Sequence, residues 1–228
     1  MAKFCVFGDS IAKGVIYDAL KSRYVLVKEC CANLFEKATG FIVKNYAKFG
    51  STITRGKEIY VKHADELAQY DRVVLEFGGN DCDFNWKEVS EEPDKTHLPN
   101  TDPHVFEQEY SELIDSVKEN GGTPVLMSLP PLHAPRFFNW ISKDLDRDAI
   151  LHWLGGDMYY TYRWQESYNL AVCRLALEKN VPLVDIRQAF LEKINYEQYL
   201  CEDGMHPTKQ GHQLISDVLC ESWDRVSA

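Results

Sequence analysis

The stretch KFCVFGDS, residues 3–10, is an apolar run that stops at once on a glycine, an acid and a hydroxyl. Four consecutive apolar residues, Phe4 to Phe7, bounded so abruptly, read as a short strand buried on both faces. The junction after them is open to two readings. Gly8-Asp9-Ser10 is an ordinary turn and helix cap, or it presents a nucleophile at the carboxyl end of a strand.

Four more stretches read as strands: FIVKNYA (41–47), RVVLEF (72–77), TPVLMSL (123–129) and VPLVDI (181–186). Helical patterns separate them. Cys30, Leu34 and Ala38 recur every four residues before Gly40. Phe106, Tyr110, Leu113 and Val117 form an apolar stripe between Pro103 and the Gly121-Gly122 stop. Further helices are expected over about 164–179 and 207–224. Strands alternating with helices imply right-handed crossovers and a parallel sheet covered on both faces. The expectation is therefore one α/β domain over residues 1–228, a three-layer α/β/α sandwich. Its five-stranded parallel sheet should have the flavodoxin-like order 2-1-3-4-5. That order places a switch point between the first and third strands, and ligands of open sheets gather there, beyond the strands' carboxyl ends.

Two connections, about 82–104 and 130–163, are too long for simple crossovers and read as insertions forming lids or binding loops. The second carries Phe137, Phe138, Trp140, Trp153, Tyr159, Tyr160 and Tyr162. These aromatics wall a pocket or form a small satellite core; the sequence leaves both readings open.

Composition narrows the function. The 228 residues are 45% hydrophobic and 26% charged, with a formal net charge of −10. No Lys/Arg run occurs, which speaks against nucleic acid or an anionic membrane as a partner. No apolar segment approaches the roughly 18 residues of a membrane span, and no signal-peptide pattern precedes the first strand, so a cytoplasmic location is expected. The seven cysteines include no Cys-x-x-Cys pair, which fits free thiols in a reducing compartment and no zinc site.

Each of the first three strands ends on residues with possible chemistry: Gly8-Asp9-Ser10, then Gly50, then Gly78-Gly79-Asn80-Asp81, with Asp203 and His206 near the C-terminus. Ser10 is a possible nucleophile, His206 its base, and Asp203 the partner of the imidazole. The N–H groups of Ser10 and Gly50 and the Asn80 amide could receive an oxyanion. Taken singly, each piece is more simply a turn or a cap. Taken together, in this order, they form a constellation. Asp9 and Asp81 read as acids bracing the two loops, and Arg136 as a surface salt-bridge former.

This constellation resembles the SGNH (GDSL-type) hydrolase family, through FGDSIAKG (7–14), Gly50, GGND (78–81) and DGMHP (203–207). The resemblance runs from Ser10 to His206, with isoleucine at position 11 where the family often has leucine. It implies a flavodoxin-like fold and metal-free, cofactor-free ester hydrolysis. It makes Ser10, Asp203 and His206 catalytic, and Ser10, Gly50 and Asn80 the oxyanion hole. The expected substrate is a small-molecule ester with a short acyl group, such as acetyl on a carbohydrate. A lysophospholipase or thioesterase of the same family is the alternative. Oligomeric state is not legible. A metallophosphoesterase, from a different class, also uses Asp and Asn loops after strands. It would require further ligand motifs that this sequence lacks, since GHQ (211–213) stops short of Gly-His-x-His.

Overall fold

The computed structural model describes residues 1–226. The opening run is β1 (Lys3–Gly8), in which every residue after Lys3 is buried. A single helical turn, α1 (Ser10–Lys13), leads into an antiparallel hairpin of β2 (Val15–Asp18) and β3 (Arg23–Leu26). Then come α2 (Cys31–Thr39), β4 (Ile42–Asn45), α3 (Ile53–Val61) and β5 (Arg72–Glu76). Next are α4 (Trp86–Glu91), α5 (Pro103–Glu119) and β6 (Pro124–Met127). The chain continues through α6 (Ala134–Ile141), α7 (Arg147–Trp153), α8 (Tyr160–Glu178) and β7 (Leu183–Val184). It closes with α9 (Ile186–Leu191) and α10 (Lys209–Val226).

One parallel sheet has the order β4-β1-β5-β6-β7, which among its own strands is the expected 2-1-3-4-5. β1 pairs with β4 on one side, Lys3 opposite Ile42, and with β5 on the other, Gly8 opposite Glu76. The chain crosses outward from β1 to β4 and then back over β1 to β5, so the switch point lies at the carboxyl end of β1.

The unbroken apolar run of β1 follows from helices on both faces. Phe4 and Val6 face a core built with Phe35 of α2, Phe190 of α9 and Ile215 of α10. Cys5 and Phe7 face the opposite core, with Tyr60 of α3, Tyr110 of α5 and Tyr168 of α8. The sheet with a helical layer on each side is the three-layer sandwich.

The structure corrects the expectation in two places. The β2–β3 hairpin was not anticipated, because its residues beyond Val15 are only half-buried or exposed and so show no clear apolar period. In α2 the buried face is Cys31, Ala32 and Phe35, while Leu34 is half-buried and Ala38 exposed. The cause is the helix start: Cys30 is an extended N-cap, outside the helical register.

The insertions carry α4, α6 and α7, which meet in a satellite core of Phe84 and Val89 with Phe138, Ile150 and Leu154. No described helix is long and apolar enough to cross a membrane. All seven cysteines are free.

Candidate active site

The abrupt end of β1 sets the site. Asp9 caps α1, its Oδ1 accepting the Ile11 N–H at 2.8 Å. Ser10 is therefore the first residue of a helix, where a backbone N–H has no intrahelical acceptor. Its Oγ lies 2.9 Å from His206 Nε2, and His206 Nδ1 lies 2.7 Å from Asp203 Oδ2. Asp203 Oδ1 accepts the N–H groups of Met205 and His206, each at 3.0 Å. Burial pushes the Asp203 carboxyl up, but its bond to His206, the imidazole's charge and the two N–H donors outweigh this and hold it below the usual carboxylate range. An ionised Asp203 requires a donor at Nδ1. That tautomer leaves the Nε2 lone pair to accept the Ser10 proton.

The loop bearing Asp203 and His206 is clamped against the second insertion. Gly204 has φ +73, and a Cβ there would lie 2.7 Å from both His133 O and Phe137 N. The His133 N–H donates to Gly204 O at 2.8 Å. Arg136, expected to form a surface salt bridge, is half-buried and instead donates to the carbonyls of Glu197 and Leu200 at 2.5 and 2.9 Å.

From the end of β5, the Asn80 amide reaches Asp9. Nδ2 donates to Asp9 Oδ2 at 2.8 Å, which engages one of its two hydrogens. Asp81 ties this loop to its neighbours, accepting from the Ile53 N–H at 2.9 Å and from the Thr101 hydroxyl at 2.7 Å. The bracing expected of Asp9 and Asp81 is thus visible as hydrogen bonds. Burial drives the Asp81 carboxyl up to about 7. Gly50 stands on an exposed turn with φ +70, and a Cβ there would meet nothing within 4 Å. The left-handed backbone, rather than crowding, is what favours glycine at this position.

Ser10, Asn80 and His206 line one cavity of about 390 Å³, with Asp203 behind the imidazole. Phe49 lines it too, its ring parallel to that of His206 at 6.2 Å, whereas Gly50, the next residue, is not among the lining residues. The unanticipated hairpin also reaches the site: Tyr24 packs 5.0 Å from the His206 ring, with Trp140 of α6 behind it at 6.0 Å. Phe137, Trp140 and Tyr160 of the aromatic insertion wall the cavity, whereas Phe138 and Trp153 belong to the satellite core. Both readings of that insertion hold, for different residues.

Two further side chains were not singled out from the sequence. Glu76, the last residue of β5, is fully buried, and its Oε2 accepts from the Asp9 and Ala12 N–H groups at 3.2 and 3.4 Å. Burial, reinforced by the nearby Asp9 carboxylate, holds Glu76 well above the usual range. The two N–H groups it accepts flank Ser10, so this buried acid ties the end of β5 to the turn that carries the serine. The signal for it was an acid at the end of the otherwise apolar RVVLEF. Arg187 is the other: also buried, it donates to Leu129 O, Pro130 O and Gln165 Oε1 at 3.3, 3.3 and 3.0 Å. It thereby fixes a loop on the cavity wall.

The remaining histidines stand elsewhere. His212 is fully buried, accepts the Cys31 N–H at 3.4 Å, and is pushed down to about 4 by burial. His133 caps α6. Among the described residues, no group of three His, Cys, Asp or Glu is placed to hold a metal ion.

A serine–histidine–aspartate chain at the switch point of such a sheet is the arrangement of a serine hydrolase. The chain belongs to the GDSL-like lipase/acylhydrolase family, whose model matches residues 6–214, and with it to the serine hydrolases that act on ester bonds. Among solved structures it is similar to a lipase/acylhydrolase from Enterococcus faecalis, at 18% identity and a TM-score of 0.70, covering 99% of this chain and 97% of that one. It is also similar to a member of the lipolytic G-D-S-L family from Veillonella parvula, at 15% identity and a TM-score of 0.65, covering 99% and 100%. A third is the psychrotrophic esterase EstA from Pseudoalteromonas, seen inhibited by monoethylphosphonate, at 13% identity and a TM-score of 0.63, covering 99% and 98%. At these identities the likeness is one of fold. No curated protein matches the chain in sequence.

Proposed function

We propose that this protein hydrolyses carboxylic esters of small molecules through an acyl-enzyme on Ser10. The observation that carries the reading is the continuous chain of contacts from Ser10 Oγ to His206 Nε2 (2.9 Å) and from His206 Nδ1 to Asp203 Oδ2 (2.7 Å), on the wall of a cavity. His206 takes the Ser10 proton as Oγ attacks the ester carbonyl. The carbonyl oxygen becomes an oxyanion received by the N–H groups of Ser10 and Gly50 and the free hydrogen of the Asn80 amide. His206 then passes the proton to the departing alcohol oxygen, leaving an acyl ester on Ser10. Water, deprotonated by the same imidazole, attacks that ester, and the carboxylic acid leaves as Oγ regains its proton. Throughout, Asp203 stabilises the imidazolium.

A formal net charge of −10 favours a free small molecule over nucleic acid or an anionic membrane as partner. Seven free cysteines favour a reducing, cytoplasmic setting. The test is an ester panel varying acyl and alcohol parts, run with EDTA on the wild type and Ser10→Ala. The reading expects chelator-insensitive hydrolysis that falls by about 10⁴-fold or more in the variant. Turnover retained by Ser10→Ala, or abolished by EDTA, would overturn it.

A further inference from the structure

We propose that the substrate is an ester bearing a cationic ammonium group, which seats between the Asp83 carboxylate and the aromatic rings of the cavity beside Ser10. The proposal rests on the esterase reading above and adds the charge of the molecule that is recognised.

Asp83 stands in the first insertion, just past the Asn80 turn. Its Oδ1 accepts the Trp86 indole N–H at 2.7 Å and the Phe84 N–H at 3.0 Å. Its backbone is pinned by Asn100, whose N–H donates to Asp83 O at 2.8 Å. The residue is half-buried and lines the cavity. Among the described residues no donor reaches its Oδ2, and no Lys or Arg pairs with the carboxylate. A partly desolvated carboxylate with one unused oxygen is suited to a positive charge from outside the chain. Burial raises this carboxyl to about 6, so it is charged at neutral pH and above.

The same cavity is lined by Phe84, Trp86, Phe137, Tyr160 and Trp164. These rings form a continuous belt. Phe84 lies 5.6 Å from both Trp86 and Trp164, Trp86 lies 6.0 Å from Phe137, and Trp164 lies 6.3 Å from Tyr160. The indole bond to Asp83 joins the carboxylate to this belt. Ring faces attract ammonium groups, and an acid beside them adds a full charge. Among the described residues no Lys or Arg lines the cavity to compete. Arg163, 5.7 Å from the Tyr160 ring, is outside the lining and paired with Asp157. The formal net charge of −10 draws cations toward the protein as a whole.

The hydrogen-bonding pattern separates a cation from a polyol. A sugar would stack on the same rings, but its several hydroxyls need several partners. The neighbouring polar groups are already engaged. Trp164 Nε1 donates to Cys82 O at 2.8 Å, and Gln165 Nε2 to Pro130 O at 2.8 Å. Gln165 Oε1 accepts from Arg187 at 3.0 Å. The other carboxyls of the lining are Asp9, held by Asn80 and the Ile11 N–H, and Glu76, held by the Asp9 and Ala12 N–H groups. One free carboxylate oxygen among rings suits a single compact charge.

The experiment compares isosteric ester pairs that differ only in trimethylammonium against tert-butyl, at about pH 8, in the wild type and in Asp83→Asn. Acetylcholine and 3,3-dimethylbutyl acetate place the charge on the alcohol. The p-nitrophenyl esters of 4-(trimethylammonio)butanoate and 5,5-dimethylhexanoate place it on the acyl group. The wild type should favour the cationic member of at least one pair by about ten-fold in kcat/KM, and Asp83→Asn should abolish most of that preference. Asparagine keeps an oxygen for the Trp86 and Phe84 donors and removes only the charge. The ratio is internal to each preparation, so it is independent of how much of the variant folds; Asp83→Ser serves if Asp83→Asn yields no protein. A purely structural Asp83 would move both members of a pair together. No preference for the cationic member in either pair, or a preference unmoved by the variant, would overturn the proposal. If no ester is turned over and Ser10 takes up no phosphonate, the esterase reading has failed instead. The cation site is then read by tryptophan fluorescence on adding tetramethylammonium chloride, with sodium chloride as the control. A saturable change in the wild type that Asp83→Asn loses supports the site, and its absence overturns it.

Discussion

The Asn80 amide donates to the Asp9 carboxylate at 2.8 Å, linking the ends of β5 and β1 directly beside Ser10. Asp9 in turn accepts the Ile11 N–H, so one carboxylate both starts the serine-bearing helix and aims the amide. On the proposed mechanism Asn80 contributes only when the oxyanion forms. Asn80→Ala should lower kcat by about 10²–10³-fold and leave KM within a few-fold, as loss of a single oxyanion donor does. Asp9→Ala should lower kcat in the same direction, since it frees the amide and removes the cap. Steady-state kinetics on any hydrolysed ester check both; a change confined to KM would place Asn80 in ground-state binding instead.

Asp81 carries a pH signature. Its carboxyl is raised from 3.8 to about 7 by burial, so between these values the folded protein binds a proton that the unfolded chain has lost. Stability from this group is fully present below about pH 4 and declines as pH rises toward 7. Asp81→Asn keeps an oxygen for the Ile53 N–H and Thr101 hydroxyl but cannot titrate. Thermal unfolding should therefore show the variant gaining on the wild type as pH is raised from about 5 to about 8. A gap between the two that stays constant or moves the other way would refute the raised carboxyl.

Gly204 makes the left-handed turn of the Asp203–His206 loop. Alanine there meets a φ of +73 and two backbone atoms of the second insertion at 2.7 Å. Gly204→Ala should cost more than about 1–2 kcal/mol of stability and lower kcat as the loop shifts His206 from Ser10. Denaturant unfolding and kinetics together check this. An unaffected Tm with full activity would mean that the loop is not held as described.

How far the sequence alone revealed this molecule depended on what each segment buries. β1, β5 and β6 were readable because both faces are covered, which leaves an uninterrupted apolar run. The stripe Phe106–Tyr110–Leu113–Val117 was readable because α5 buries one face against the sheet. The β2–β3 hairpin was hidden: it covers the site with Tyr24 instead of joining the core, and its half-exposed strands have no clean period. In the site, Ser10, Asn80, Asp203 and His206 carried recognisable local patterns, so their convergence could be expected. Glu76 and Arg187 belong to no local pattern. Their roles arise from atoms far away in the sequence, at Ala12 and at Leu129 and Pro130. Only the folded chain reveals those.

The central claim is that Ser10 is the nucleophile. The most direct measurement is intact-mass and peptide mapping after treatment with a small alkyl phosphonate ester, on the wild type and on Ser10→Ala. The account predicts a single adduct on the wild type, mapped to Ser10, with hydrolysis lost in step, and none on the variant. No adduct on an active wild-type enzyme, or an adduct on another residue that accompanies the loss of activity, would contradict it.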